Sequence, residues 1–148
     1  MLKRTQLLAN KLYQEIRPII GKKAIIIALE GPLGAGKTTF TKAFAQAMGI
    51  KETVLSPTFT LHSEYGRLDH IDLWRIENPK ELVALGLSKM IAAKKVIVIE
   101  WAEKARETIE NYKSSRKAAS RSAGQATIVW IKFEYGEMEN ERIIKKNY

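Results

Sequence analysis

The sequence predicts an α/β domain with a mostly parallel central sheet flanked by helices. Three observations carry this. Two short runs, residues 24–29 (AIIIAL) and 96–99 (VIVI), are apolar throughout, as strands covered on both faces are. Stretches of helical periodicity alternate with them. A glycine-rich turn joins the first apolar run to the helical pattern after it, and sheets of this kind bind ligands beyond the carboxyl ends of their strands.

Leu8, Leu12 and Ile16 recur at a spacing of four, which predicts an amphipathic helix over residues 2–17, closed by Pro18 and Gly21. The strand 24–29 follows, then the turn 31–36. Phe40, Ala43, Phe44 and Ala47 predict a helix over 37–48, stopped by Gly49. Residues 54–61 contain Pro57 and begin as a loop that can run on into a strand. Residues 68–74 read as a strand with Leu68, His70 and Asp72 on one side. Pro79 opens a short helix that Gly86 interrupts or ends. The strand 96–99 ends at Glu100, and residues 102–112 are helical in composition. Residues 113–124, rich in Ser, Ala, Lys and Arg, read as a mobile connection. β-Branched and aromatic residues make 127–133 a strand. The charged tail 137–148 either forms an edge strand around Ile143 and Ile144 or frays.

The 148 residues fit one domain spanning 1–148, and apolar and charged contents of 45% and 28% are ordinary for a globular chain. There are no cysteines, which excludes a disulfide scaffold and thiolate metal sites. No apolar run is long enough to span a bilayer, and the basic N-terminus lacks the continuous apolar stretch of a secretory signal. The expectation is a cytoplasmic protein with no membrane partner. The net charge of +9 draws the chain toward polyanions, but a solvated lysine-rich surface explains it equally well.

Residues 31–38, GPLGAGKT, fit the pattern G-x4-G-K-[ST] in full. The chemistry needs these residue types. Gly31, Gly34 and Gly36 let the backbone turn its amides toward phosphate oxygens, and the next helix presents its positive end to the same charge. Lys37 reaches the β and γ phosphates, and Thr38 offers a hydroxyl to magnesium. Candidate nucleotide contacts are therefore Gly31, Leu33, Gly34, Ala35, Gly36, Lys37, Thr38 and Thr39, and the fold expected is that of the P-loop NTPases with ATP and Mg2+ as ligands. Such a loop needs a carboxylate at a neighbouring strand end. Glu100 supplies one, and Asp72 is the other candidate. With His70 and Arg75, Asp72 could orient water or neutralise charge; a packed His70 and an Asp72–Arg75 surface pair are the plain alternatives. Ser56 and Thr58 lie where P-loop proteins often carry a switch.

Taken in order, GPLGAGKTTF at 31–40, SPTFTL at 56–61, HIDLWR at 70–75 and VIEWAEK at 98–104, with Thr5 and its helix, resemble the bacterial tRNA threonylcarbamoyladenosine biosynthesis ATPase family TsaE, also called YjeE. The resemblance covers roughly residues 4–106. It implies a P-loop ATPase of low intrinsic activity that works with TsaB and TsaD on N6-threonylcarbamoyladenosine (t6A) in tRNA. TsaD would transfer the threonylcarbamoyl group, and ATP hydrolysis would reset the TsaB–TsaD assembly. The resemblance also implies roles. Lys37 and Thr38 would bind phosphate and magnesium, and Glu100 would be a magnesium-side carboxylate. Asp72 would position water or stand near the metal, Thr58 would belong to the switch, and Trp101 would lie beside the nucleotide. The chain departs from the family at Trp74, where Tyr is common, at 107–109, where a Leu-Pro pair is usual, and in its basic stretch 113–122.

Two other readings stay open from the residues. A small P-loop kinase would need an acceptor pocket and a lid, and residues 76–96 leave little room for one. A nucleic-acid binding module with a vestigial nucleotide site would use Lys113, Arg116, Lys117 and Arg121, which have no acid among them, to touch tRNA or an acidic partner face.

Overall fold

A computed structural model describes residues 2–55, 61–113, 125–135 and 142–147. The predicted switch positions Ser56 and Thr58, and the basic Arg116, Lys117 and Arg121, lie outside the described residues.

Helix α1 (Leu2–Ile16) comes first and tightens into a 3₁₀ turn, Arg17–Ile19, where Pro18 denies the helix its next donor. Strand β1 (Ala24–Glu30) leads through the glycine loop into α2 (Lys37–Ala47). A hairpin of β2 (His62–Tyr65) and β3 (Leu68–Asp72) is followed by two short helices, α3 (Lys80–Ala84) and α4 (Leu87–Ala92). Strand β4 (Val96–Glu100) precedes a 3₁₀ turn, Ala102–Ala105, and α5 (Arg106–Glu110). Strands β5 (Ala126–Tyr135) and β6 (Arg142–Asn147) close the chain.

The six strands form one sheet in the order β2-β3-β4-β1-β5-β6. The central four, β3, β4, β1 and β5, run parallel, and the edge strands β2 and β6 add antiparallel. The expected mixture of parallel core and flanking helices is thus present, with β6 as the edge strand around Ile143 and Ile144.

Side-chain alternation explains why β1 and β4 are apolar up to their terminal Glu30 and Glu100. Ile25, Ile27, Leu29, Val96 and Val98 pack on one face against Ala9, Leu12, Phe40 and Phe44 of α1 and α2. Ile26, Ala28, Ile97 and Ile99 pack on the other against Leu82, Leu87, Ile91 and Ile109. Each strand residue is buried whichever way it points, so a polar residue within the run would lose its water without a partner.

Three details differ from expectation. The third strand stops at Asp72 rather than Trp74, because the Asp72 carboxylate accepts the Trp74 amide at 2.9 Å and turns the backbone out of the ladder. The short helix predicted after Pro79 is followed by a second, α4, beyond Gly86. The segment 102–112 starts as a 3₁₀ turn instead of a continuous helix, since Trp101 before it adopts a left-handed φ of 59°.

Candidate functional site

The loop 31–36 leaves the C-terminal end of β1, a strand with parallel neighbours on both sides. Chain connections depart to opposite sides of β1 here, which opens a crevice above the sheet. Gly31 is pressed onto β5: a Cβ built on it would lie 2.3 Å from the Phe133 carbonyl oxygen. Its amide donates to Glu103 Oε2 at 2.8 Å. The Ala35 amide donates to the Pro32 carbonyl at 3.2 Å, and the Ala35 side chain is buried in the core. The Tyr135 hydroxyl donates to the Leu33 carbonyl and ties the loop to the end of β5. Gly36 opens α2 at φ 107°, a conformation that costs glycine nothing and any other residue strain. The first amides of α2, with the partial positive charge of the helix end, face the cleft above the loop.

Lys37 is 5% exposed. Its Nζ donates to the carbonyls of Gly31 at 2.5 Å and Pro32 at 2.8 Å. The ammonium also sits 3.9 Å from the centre of the Trp101 ring. Burial lowers its pKa, and the negative charges of Glu103, Glu100 and Asp72 oppose that shift. The lysine is therefore a cation parked on the loop's own carbonyls, among three carboxylates.

The neighbouring strand ends complete the cleft. Asp72 of β3 stands in register with Glu100 of β4. Thr38 donates its hydroxyl to Glu100 Oε1 at 2.8 Å, and His70 Nε2 bonds Glu100 Oε2. His70 thus joins Glu100 and not a His70–Asp72–Arg75 cluster; Arg75 is exposed, and Asp72 turns back on the Trp74 amide. The rings of Trp74 and Trp101 meet at 4.6 Å between centres, and Lys104 donates to the Trp74 carbonyl.

The cleft holds about 290 Å3. Of the residues predicted from sequence, Leu33, Gly34, Gly36, Lys37, Thr38, Thr39, Asp72, Glu100 and Trp101 line it. Gly31 and Ala35 instead face away from the cleft and anchor the loop, Gly31 through its bond to Glu103 and Ala35 through its burial in the core. Trp74 lines the cleft without having been predicted to, and Glu103 and Tyr135 brace the loop from outside it. Glu103 lay within the VIEWAEK segment, three residues after Glu100, so its position could have been guessed; Tyr135 gave no signal. Burial raises the Glu103 pKa, and the Gly31 amide and Lys37 limit the rise. A larger cavity of about 510 Å3 opens between α1, the end of α2 and the β2–β3 turn, lined by Tyr13, Ile50, Tyr65 and Arg67 among others, and holds none of the predicted site residues. Among the described residues, no helix is long and apolar enough to cross a membrane.

Comparison with known proteins agrees with this geometry. The family model described as "Threonylcarbamoyl adenosine biosynthesis protein TsaE" matches residues 2–128. A relative named tRNA threonylcarbamoyladenosine biosynthesis protein TsaE, from Bacillus subtilis (strain 168), is 41% identical over 97 residues. The match covers 63% of this chain and 60% of the relative, so it spans less than two thirds of that protein's length. The protein of the same name from Aquifex aeolicus (strain VF5) is 42% identical over 102 residues, covering 64% of this chain and 69% of the relative. The crystal structure of Bacillus subtilis YdiB superposes with a TM-score of 0.65 at 28% identity, over 97% of this chain and 78% of that one. A sheet centred on β1, a G-x4-G-K-T loop at its carboxyl end and a family match across most of the sequence leave one assignment: the chain has the P-loop fold and belongs to the TsaE family.

Proposed function

We propose that this chain binds ATP with magnesium and hydrolyses it slowly, and that it serves t6A modification of tRNA together with TsaB- and TsaD-type partners. The relatives' names support the pathway. The observation that carries the nucleotide reading is the convergence of Lys37, the Thr38–Glu100 pair and the start of α2 on one cleft.

Lys37 would exchange the Gly31 and Pro32 carbonyls for phosphate oxygens, and a charged acceptor makes that exchange favourable. The loop amides and the helix end would hold the same oxygens. The donor set fits a hard divalent ion: the Thr38 hydroxyl and the Glu100 carboxylate are oxygen ligands at the cleft wall, with Asp72 in register beside them. Bound there, magnesium would neutralise charge on the β and γ phosphates. Glu100 and Asp72 would fix its waters and the attacking water. Trp101 and Trp74, their rings tilted by 46°, offer an apolar wall to the rest of the nucleotide. Lys113, and with it the basic residues to 121, would supply a contact to tRNA or to an acidic partner face.

Calorimetry with ATP and magnesium tests the first half. We expect saturable uptake that Lys37→Ala weakens about a hundredfold in Kd; no uptake by folded parent protein at millimolar ATP sinks the reading. Co-purification with TsaB and TsaD, with and without nucleotide, tests the second.

A further inference from the structure

Glu100 is 2% exposed and His70 is 0% exposed, so an ionisable pair stands on adjacent strands with almost no water. His70 pairs in register with Val98, which makes Glu100 its diagonal neighbour on the same face. A buried carboxylate needs donors for its oxygens. Glu100 has one on each: Thr38 on Oε1 and His70 on Oε2. A carboxylate only accepts, so both partners donate and Nε2 of His70 carries a hydrogen. The other ring nitrogen, Nδ1, is buried and has no partner among the described residues. A histidine placed merely to fill the core would be expected to satisfy both nitrogens; this one spends its single bond on Glu100.

We propose that His70 is a positioning residue for Glu100, a role that rests on the nucleotide reading above. It grips Oε2 from beneath, which leaves Oε1 aimed at Thr38 and the metal side of the cleft. It touches no nucleotide itself: the cleft is lined by Asp72 and Glu100, not by His70. Carboxylate ligands of metals commonly depend on such outer hydrogen bonds for their orientation, with losses of about 10–100-fold in metal affinity when they are removed.

The test separates this role from nucleotide binding as such. His70→Met keeps the volume and removes the donor; His70→Gln restores an N–H near the place of Nε2. Nucleotide affinity is measured by calorimetry with magnesium and with EDTA. The expected result for His70→Met is affinity in EDTA within about twofold of the parent, while the gain conferred by magnesium falls by about tenfold. His70→Gln recovers most of that gain. An unchanged magnesium gain in folded His70→Met overturns the proposal. A second readout needs no ligand. In 15N-labelled free protein the His70 ring should show a slowly exchanging, hydrogen-bonded Nε2–H that is lost in Glu100→Ala; a ring without that signature overturns the proposal even if both His70 variants fail to fold. If the parent protein binds no nucleotide at all, the nucleotide reading fails, and the ring signature still decides whether His70 holds Glu100.

Discussion

Gly31 and Phe133 lie back to back, so close that the smallest side chain at position 31 would meet the Phe133 carbonyl at 2.3 Å. The contact is between backbones, and neither strand can yield without breaking the β1–β5 ladder that pairs Ile25 to Glu30 with Thr127 to Lys132. It is what seats the loop on the sheet.

Gly31→Ala should therefore destabilise the fold by about 2–4 kcal/mol, combining overlap with a φ of 140° that alanine disfavours. Urea unfolding monitored by circular dichroism measures it. A loss below about 0.5 kcal/mol, the range of an ordinary surface change, would show that the loop is not anchored there.

Lys37→Ala should leave a folded protein and weaken nucleotide binding by about 3 kcal/mol, roughly a hundredfold in Kd. In the free chain the ammonium bonds two loop carbonyls, so a small change in Tm accompanies the loss. Equal affinity in parent and variant at matched salt would take the lysine out of phosphate binding.

Glu100→Gln should slow hydrolysis more than it weakens binding. The phosphates are held directly by the loop, the lysine and the helix end, and this carboxylate adds to that hold through magnesium and through its charge near Lys37. A fall of about 100-fold in single-turnover rate, with Kd raised about tenfold in magnesium and within about twofold in EDTA, is the expected split. A parental rate in the variant removes Glu100 from the chemistry.

These residues show what the sequence made legible. β1 and β4 could be read because both faces are covered, and a run with no polar residue reports that directly. The phosphate loop could be read because its chemistry is local: a turn, a lysine and a hydroxyl within eight consecutive residues. Strand β2, HSEY, could not. It has no apolar alternation and exists because β3 supplies antiparallel partners to a half-covered edge. The partner of His70 was missed for a related reason. Strand alternation put His70 and Asp72 on one face, but only the β3–β4 register reveals that Glu100 lies diagonal to His70. Glu103 and Tyr135 brace the loop from 72 and 102 residues away, a distance no local pattern spans.

Glu103 makes a pH prediction. Its raised pKa comes first from burial, opposed by the Gly31 amide and by Lys37. A carboxyl that holds its proton longer when folded binds more protons in the native state, so stability falls as pH rises from the ordinary value of 4.5 through the folded value. Glu103→Gln removes that dependence. The stability difference, variant minus parent, should grow more favourable to the variant across this interval and flatten above it. A difference that stays constant with pH in urea titrations would mean that Glu103 titrates normally.

Trp101 carries the last prediction. Its ring faces the Lys37 ammonium at 3.9 Å and the Trp74 ring at 4.6 Å. If Lys37 moves onto phosphate, a cation leaves the indole face and the emission of Trp101 changes. The other two tryptophans must go for this to be seen. Trp74→Phe keeps an aromatic beside Trp101. Trp130→Phe gives up a bond to Glu110 and the Arg106 guanidinium stacked over the indole, a cost of about 1–2 kcal/mol that the fold should bear. In that double variant, ATP with magnesium should shift or quench the emission saturably, and adding Lys37→Ala should abolish the response. A response that survives loss of the lysine would place its origin in the nucleotide base stacking on the indole rather than in the displaced ammonium.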